Sequence, residues 1–140
     1  MKLAVDSSVF AKRYIREPGS DLLDDFLQNA SQLGLCIILV PEIVSALNRR
    51  VREGFLTEEA YRKARKQLLA DVHDASVLQI TPSVVAQSIR LLENNTLRSM
   101  DVLYVACALE WRADLFITSD KRQLKAAADS GLKSEFISPI

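Results

Sequence analysis

The feature that most restricts the fold of this chain is the alternation of short apolar runs with longer segments whose apolar residues recur at helical spacing. Five short runs are predicted to be strands, at residues 3–5, 35–40, 76–80, 115–117 and 134–137. Between them, apolar residues recur every three or four positions, which is typical of amphipathic helices. Strands that are apolar throughout and separated by helices form parallel sheets covered on both faces. The sequence therefore predicts a three-layer α/β domain around a central parallel sheet of about five strands.

Capping and turn residues predict where the helices begin and end. Asp6 directly follows the first strand and is expected to cap a helix that runs to residue 14. Pro41 suits the first position of the next long helix, and Gly54 is expected to end it. Ser99 is expected to cap the most apolar helix, residues 100–109, which should be buried on most sides.

Length and composition restrict the class of protein. The chain has 140 residues, of which 49% are hydrophobic, and this is enough for a single domain spanning residues 1–140. The longest uncharged apolar stretch, residues 33–41, is about half of the ~20 residues that a membrane-spanning helix needs. Asp6 interrupts the apolar region that a secretory signal would require. We therefore expect a cytoplasmic protein without a membrane segment.

Cysteine and histidine offer little chemistry in this sequence. Cys36 and Cys107 lie in apolar contexts without a CxxC spacing, which predicts two buried thiols in preference to a redox or zinc site. His73 is the single histidine, so a zinc site built on several histidines is excluded. No G-x-S-x-G turn is present to support a Ser-His-Asp arrangement. Any catalysis must therefore come from carboxylates and hydroxyls.

The total charge by itself argues against a nucleic-acid enzyme. The chain holds 18 basic and 18 acidic residues, whereas proteins that bind polyanions usually carry a basic surplus. The charges are unevenly distributed, since residues 49–66, the basic hairpin, hold seven basic and three acidic residues. Its charges either solvate two amphipathic helices or contact the phosphates of a nucleic acid. The candidates for contact with a nucleic-acid backbone are Arg49, Arg50 and Arg52.

Four acids are predicted to gather at one edge of the sheet. Asp6 follows the first strand, Glu42 the second and Asp120 the fourth, while Asp101 lies in the first turn of the most apolar helix. The carboxyl ends of parallel strands and the helix N-termini after them form the crevice where ligands bind. Each acid taken singly is also explained as a helix cap. Asp101, however, is the only charge between Arg98 and Glu110, and burying an unpaired carboxylate is costly.

A hard divalent cation would relieve the mutual repulsion of such a cluster of carboxylates. Ligation by oxygen atoms alone suits Mg²⁺ or Mn²⁺. Such an ion holds phosphate oxygens and lowers the pKa of bound water, and two ions can clamp the attacking and leaving oxygens of a phosphodiester. The arrangement of acids therefore predicts metal-dependent phosphodiester hydrolysis.

Four segments of the chain resemble the motif regions of PIN-domain ribonucleases, and most closely those of VapC-type toxins from prokaryotic toxin–antitoxin pairs. In chain order they are VDSSVFAKRYIREPGS, PEIVSALNRR, LRSMDVLYVACAL and LFITSDKRQLKAA. The resemblance implies a parallel sheet with a central first strand and a pocket lined by Asp6, Glu42, Asp101 and Asp120. It also implies Mg²⁺- or Mn²⁺-dependent endonucleolytic cleavage of RNA, and a cognate antitoxin that occupies a groove near the site.

The expected roles of the four acids follow from their positions. Asp6 and Asp101 are predicted to ligate the metal directly, because one is fixed on the central strand and the other on a rigid buried helix. Glu42 and Asp120 are predicted to complete the cluster through metal-bound waters or by orienting the attacking water.

Hydroxyl groups lie beside the acids. Those of Ser8 and Thr118 either hold the acids or a phosphate, or form local caps. Many relatives carry a histidine in the third motif region, where this chain has Tyr104. We expect Tyr104 to point into the core packing, so that activity does not depend on the difference.

The apolar side of the basic hairpin is a candidate partner surface. Together with Leu47, just before the hairpin, this side carries Val51, Phe55, Leu56 and Tyr61. Most of these side chains are expected in the core. The alternative is a surface that receives an amphipathic antitoxin helix or the second subunit of a homodimer.

Three alternatives stand beside a toxin ribonuclease. A housekeeping RNA-processing nuclease of the same family would have the same acids, and a non-catalytic RNA-binding module would keep the pocket for structure. A phospho-acceptor receiver domain has a similar length, but it normally shows an acidic pair after the first strand and a lysine after the last. Here a single Asp6 follows the first strand, and the chain closes on Ser138, Pro139 and Ile140.

Overall fold

The computed structural model describes residues 1–139, and these contain a parallel sheet of five strands. The strands are β1 (Lys2–Val5), β2 (Gln32–Cys36), β3 (Ser76–Leu78), β4 (Leu115–Thr118) and β5 (Ser134–Phe136). Their spatial order is β3-β2-β1-β4-β5, and every neighbouring pair is parallel. The central strand β1 is buried at Leu3, Ala4 and Val5, as expected for a strand covered on both faces.

Helices connect the strands and form the outer layers. They are α1 (Ser7–Phe10) with a 3₁₀ turn at Ala11–Arg13, α2 (Ser20–Asn29), α3 (Leu39–Arg52), α4 (Glu58–Asp74), α5 (Pro82–Asn94), α6 (Ser99–Trp111) and α7 (Lys121–Asp129). The three-layer α/β prediction is confirmed. The chain adds β2 and β3 on one side of β1 and then β4 and β5 on the other, so the topology reverses between β1 and β4. Open α/β sheets bind ligands outside the carboxyl ends of the strands at such a point.

Capping residues explain several helix boundaries. The Asp6 carboxylate accepts a hydrogen bond from the Val9 amide and begins α1, which gives way to the 3₁₀ turn sooner than predicted. Gly54 follows α3 with a positive φ of 80°, in agreement with its predicted role. The prediction that Ser99 caps α6 is wrong, because Ser99 is the first residue of the helix. Arg98 adopts the extended backbone of the cap position and makes no side-chain cap bond.

The second strand ends earlier than the sequence predicts. Residues 35–40 were expected to be a strand, but β2 begins earlier, at Gln32, and ends at Cys36, and α3 begins at Leu39. The amide of Ile37 still donates to Leu78 at 2.9 Å, after which the backbone turns into the helix. Leu39 is fully buried, so the apolar run continues from the strand into the first turn of α3. Pro41, predicted at the first position of the helix, is its third residue, and it is tolerated there because the first four helical N–H groups have no intrahelical acceptor.

A glycine allows α6 to approach the sheet closely. A Cβ atom at Gly34 of β2 would lie 2.5 Å from the ring of Trp111, the last residue of α6. The position therefore requires glycine, and the contact sets α6 against β2. Residues 1–139 contain no helix that is long and apolar enough to cross a membrane.

Candidate active site

Asp6 lies at the carboxyl end of β1 and is 3% exposed. Its Oδ1 accepts the Val9 amide at 3.0 Å and its Oδ2 accepts the Ser8 hydroxyl at 2.7 Å. Burial raises the pKa of the Asp6 carboxyl from 3.8 to about 6, and the charge of Asp120 acts in the same direction, while the bonds from Ser8 and Val9 oppose the shift. Ser8 therefore holds the predicted acid, and Asp6 and Asp120 interact.

Asp120 follows β4 and caps α7. Its Oδ1 accepts the amides of Arg122 and Gln123 at 2.8 and 3.3 Å. The amide of Asp120 donates to Thr118 Oγ1 at 2.9 Å. The Thr118 hydroxyl, the second one predicted to lie beside an acid, therefore holds the backbone of Asp120 in position. One carboxylate oxygen thus serves as the helix cap, and this is the structural role that the sequence allowed for every acid of the set.

Gln123 is a structural residue of the site that sequence reasoning missed. It is fully buried, accepts the Thr118 hydroxyl at Oε1 (2.6 Å), and donates from Nε2 to the backbone carbonyl of Asp101 (2.9 Å). These bonds join α7 to the first turn of α6. These contacts have no signal in the sequence. Neither the Thr118 hydroxyl nor the Asp101 backbone carbonyl belongs to the spacing of apolar residues from which the helices were predicted.

Asp101 lies in the first turn of α6, as predicted, and is half-buried. Burial raises the pKa of its carboxyl most, followed by the charges of Asp120 and Glu42, and Arg98 opposes them. Asp120 and Glu42 therefore each repel the charge of Asp101.

Glu42 lies in the first turn of α3 and is half-buried. Its Oε1 accepts hydrogen bonds from Ser7 Oγ at 3.0 Å and from the hydroxyl of Tyr104. Tyr104 is 2% exposed, so its ring packs inward as expected, but its hydroxyl holds a predicted site residue. Burial and the bond to Glu42 raise the pKa of this hydroxyl, which consequently stays protonated and donates.

A cleft of about 620 Å³, the acidic cleft, opens at the reversal between β1 and β4. It is lined by Asp6, Asp101 and Asp120 together with Ser7, Ser8, Lys12, Glu17, Ser119, Lys121 and Pro139. Glu42 does not line the cleft and reaches it through Ser7. A second cleft of about 630 Å³ lies at the amino ends of β2 and β3, where Arg13 pairs with Asp71, and it contains none of the four predicted acids.

The donor atoms in the first cleft suit a hard cation. Within residues 1–139, no lysine or arginine forms an ion pair with the four predicted acids. Lys12 lines the same cleft, but its Nζ lies 3.1 Å from Glu17 Oε1 and 2.9 Å from the Pro18 carbonyl. The described residues include no three His, Cys, Asp or Glu side chains placed to ligate one ion together. An ion here would therefore be held by one or two carboxylates and by waters, which is how Mg²⁺ usually binds.

Comparison with known families matches residues 3–129 to the PIN domain. The chain belongs to the PIN-domain family. The match includes the segments that carry Asp6, Glu42, Asp101 and Asp120. A search of curated proteins found no match.

Solved structures share the fold of this PIN domain at low sequence identity. VapBC-1 from nontypeable Haemophilus influenzae is 12% identical, with a TM-score of 0.70 over 97% of this chain and 98% of that chain. VapC20 of Mycobacterium tuberculosis, a sarcin-ricin loop cleaving toxin, is 15% identical, with a TM-score of 0.68 over 90% and 95%. PAE2754 from Pyrobaculum aerophilum is 20% identical, with a TM-score of 0.68 over 95% and 82%. At these identities the likeness concerns the fold.

The basic hairpin of this PIN domain extends from the C-terminal end of α3. Arg49, Arg50 and Arg52 are exposed in the last turns of that helix, where basic side chains also interact favourably with the helix dipole. Arg50 Nη2 lies 3.5 Å from Oε2 of Glu17, whose Oε1 pairs with Lys12. Glu17 therefore joins the basic hairpin to the wall of the acidic cleft.

The apolar side of the basic hairpin is mostly core. Leu47 is buried and Val51, Leu56 and Tyr61 are half-buried, whereas Phe55 is 76% exposed. Phe55 is thus the one side chain of the five that is available to a partner.

The two cysteines are buried free thiols, as expected, but they are neighbours. Cys36 Sγ at the end of β2 lies 3.6 Å from Cys107 Sγ on α6. Their separation of 71 positions gave no sign of this contact.

Proposed function

We propose that this PIN domain is a metal-dependent endoribonuclease that acts as the toxin of a VapC-type toxin–antitoxin pair. The observation that carries the proposal is the cleft at the reversal of the sheet, which is lined by Asp6, Asp101 and Asp120, none of which forms an ion pair with a lysine or arginine among the described residues. Membership of the PIN-domain family and the shared fold of VapC20, which cleaves the sarcin-ricin loop, support the choice of RNA as substrate.

Asp6 and Asp101 would hold Mg²⁺ or Mn²⁺ directly, and Glu42 and Asp120 would complete the site through water. A bound ion supplies charge neutralisation at the phosphate and a more acidic water. The bonds from Ser8 and the Val9 amide keep both Asp6 oxygens in place, so the carboxylate does not reorganise when substrate arrives. The contact between Gln123 and Asp101 keeps the acids of α6 and α7 in register.

The basic hairpin would bind the RNA backbone. Arg49 and Arg52 are exposed and form no ion pair within residues 1–139, whereas Arg50 is held by Glu17 at the edge of the cleft. Contacts of this kind supply affinity that depends on salt and is independent of base sequence.

The decisive experiment measures cleavage of a mixed RNA pool by purified protein, with and without Mg²⁺ or Mn²⁺. Asp6→Ala and Asp101→Asn should each abolish cleavage. Asp25→Asn is the matched control, because Asp25 is an exposed acid outside the cleft. Cleavage that persists in EDTA, or that both site variants retain, would overturn the metal-carboxylate mechanism.

The proposed partner is an antitoxin, and the proposed compartment is the cytoplasm. A solved toxin–antitoxin complex from Klebsiella pneumoniae, which is 13% identical and has a TM-score of 0.69 to this chain, supports this partner class. Exposed Phe55 beside the basic hairpin is a candidate contact for the antitoxin or for a second subunit. Induction of the wild type should arrest bacterial growth, and co-expression of a small protein from an adjacent gene should restore it. Growth that is unaffected by the wild type would favour a housekeeping nuclease instead.

A further inference from the structure

Two hydroxyl groups from different elements converge on one oxygen of Glu42. Ser7 Oγ, at the start of α1, donates to Oε1 at 3.0 Å, and the hydroxyl of Tyr104, on α6, donates to the same atom. Both hydrogen bonds are to Oε1, and within the described part of the chain Oε2 accepts none. The carboxylate is therefore fixed at one oxygen and keeps the other for a water or an ion.

The position of Tyr104 on α6 links this carboxylate to the rest of the cleft. Asp101 precedes Tyr104 by three residues, so both side chains lie on neighbouring positions of one helix face. Helix α6 thus presents Asp101 to the cleft and, through Tyr104, also holds Glu42 of α3.

Core packing alone does not explain the choice of tyrosine. The side chain is 2% exposed, and phenylalanine would fill the same space without a polar atom to satisfy. The hydroxyl has a specific acceptor, Glu42, at the edge of the cleft.

We propose that Tyr104 is a positioning residue of the active site, which together with Ser7 holds Glu42 so that its free oxygen orients a water for phosphodiester hydrolysis. The inference rests on the proposed function and deepens it, since it assigns a task to a residue outside the four acids. Removal of a residue that hydrogen-bonds to a metal ligand typically lowers metal affinity or activity by about 10- to 100-fold.

The test compares Tyr104→Phe with Tyr14→Phe. Tyr14 is a matched control, because its hydroxyl also donates to a carboxylate, Asp71 Oδ2 at 2.6 Å, but outside the acidic cleft. Tyr104→Phe should lower kcat for RNA cleavage by about 10-fold or more with an unchanged KM. Tyr14→Phe should leave both constants unchanged. Equal kcat values for the two variants would overturn the proposal.

A double-mutant comparison shows whether Tyr104 acts through Glu42. In a Glu42→Gln background, Tyr104→Phe should cause no further loss of kcat, because the carboxylate that it positions is already gone. A full additional loss would show that Tyr104 acts by another route. Ser7→Ala removes the second hydroxyl on the same oxygen and should cause a smaller loss than Tyr104→Phe, and it serves as the informative variant if Tyr104→Phe does not fold.

A thermal-shift titration with Mn²⁺ alone separates this inference from the proposed function. Tyr104→Phe should need about 10-fold more Mn²⁺ than Tyr14→Phe for half of the maximal shift. If the wild type cleaves no RNA, the proposed function fails, and the Mn²⁺ midpoints still decide the positioning role. Equal midpoints would then overturn it. Absence of any Mn²⁺ shift in the wild type would overturn both.

Discussion

Gln123 Nε2 donates a 2.9 Å hydrogen bond to the backbone carbonyl of Asp101, across the contact between α7 and α6. The same side chain accepts the Thr118 hydroxyl at 2.6 Å, so one buried glutamine ties two of the acid-bearing segments together. Among the described residues, the side chains of Asp101 and Asp120 form no hydrogen bond with each other. The relative position of Asp101 and Asp120 therefore depends on a neutral residue.

Replacement of Gln123 by leucine should destabilise the fold and reduce activity together. The change keeps a similar volume but leaves the Thr118 hydroxyl and the Asp101 carbonyl without their partner, at a cost of about 1–3 kcal/mol. Urea unfolding measures the loss of stability, and cleavage of RNA measures the effect on the acids. Gln28→Leu, at an exposed position, is the control and should change neither.

The metal-free protein should lose stability as the pH rises through the range in which Asp6 ionises. The pKa of Asp6 is about 6 in the folded state against 3.8 for a freely exposed aspartate, so between these values the folded state binds more protons than the unfolded state. The free energy of unfolding consequently falls with rising pH, by about 3 kcal/mol for this group once both states are ionised. The pKa of Asp101 is raised as well and adds in the same direction.

Asp6→Asn provides the measurement for this pH effect. Urea unfolding in EDTA at about pH 4 and about pH 7 should show that the variant gains stability relative to the wild type as the pH rises. Parallel pH profiles for the two proteins would show that the Asp6 carboxyl is not responsible.

Divalent metal should stabilise the wild type, because it neutralises acids that repel one another. For a dissociation constant of about 0.1 mM, an Mn²⁺ concentration of about 1 mM adds about 1.4 kcal/mol to the free energy of unfolding. The shift in melting temperature should be smaller for Asp101→Asn and unchanged for Asp25→Asn. EDTA should reverse it.

Removal of charge from the basic hairpin should weaken RNA binding and reduce its dependence on salt. Each lost phosphate contact of Arg49 or Arg52 should lower the slope of log affinity against log salt by about 0.7 for single-stranded RNA. Binding is measured by fluorescence anisotropy in the inactive Asp101→Asn background. Lys133→Gln removes an exposed cation elsewhere and should leave the slope unchanged. An equal effect of Lys133→Gln would mean that total charge, not the basic hairpin, controls affinity.

Local patterns predicted most of the fold. The strands at residues 3–5, 76–80, 115–117 and 134–137 coincide with β1, β3, β4 and β5 to within two residues, because each is a short apolar run bounded by polar or turn residues. Among the strands, the error occurred at β2, where the apolar run crosses from the strand into α3. Hydrophobicity marks Leu39 as buried but does not say in which conformation.

The charge balance illustrates the same limit for the site. Neutrality of the whole chain argued against a nucleic-acid enzyme, yet the acids of the cleft and the arginines of the basic hairpin occupy different surfaces. A total hides such a distribution, because opposite charges cancel in a sum wherever they lie in the fold.

By itself, the sequence determined the parallel α/β sheet and the placement of acids at strand ends, since both follow from periodicity and from the order of elements along the chain. Only the tertiary structure decided which side chains meet. Tyr104 and Glu42 are 62 positions apart, Cys107 and Cys36 are 71 apart, and Gln123 and the Asp101 carbonyl are 22 apart. Contacts of this kind depend on how each helix is rotated against the sheet and on side-chain rotamers, which packing of the whole core selects and no local pattern records.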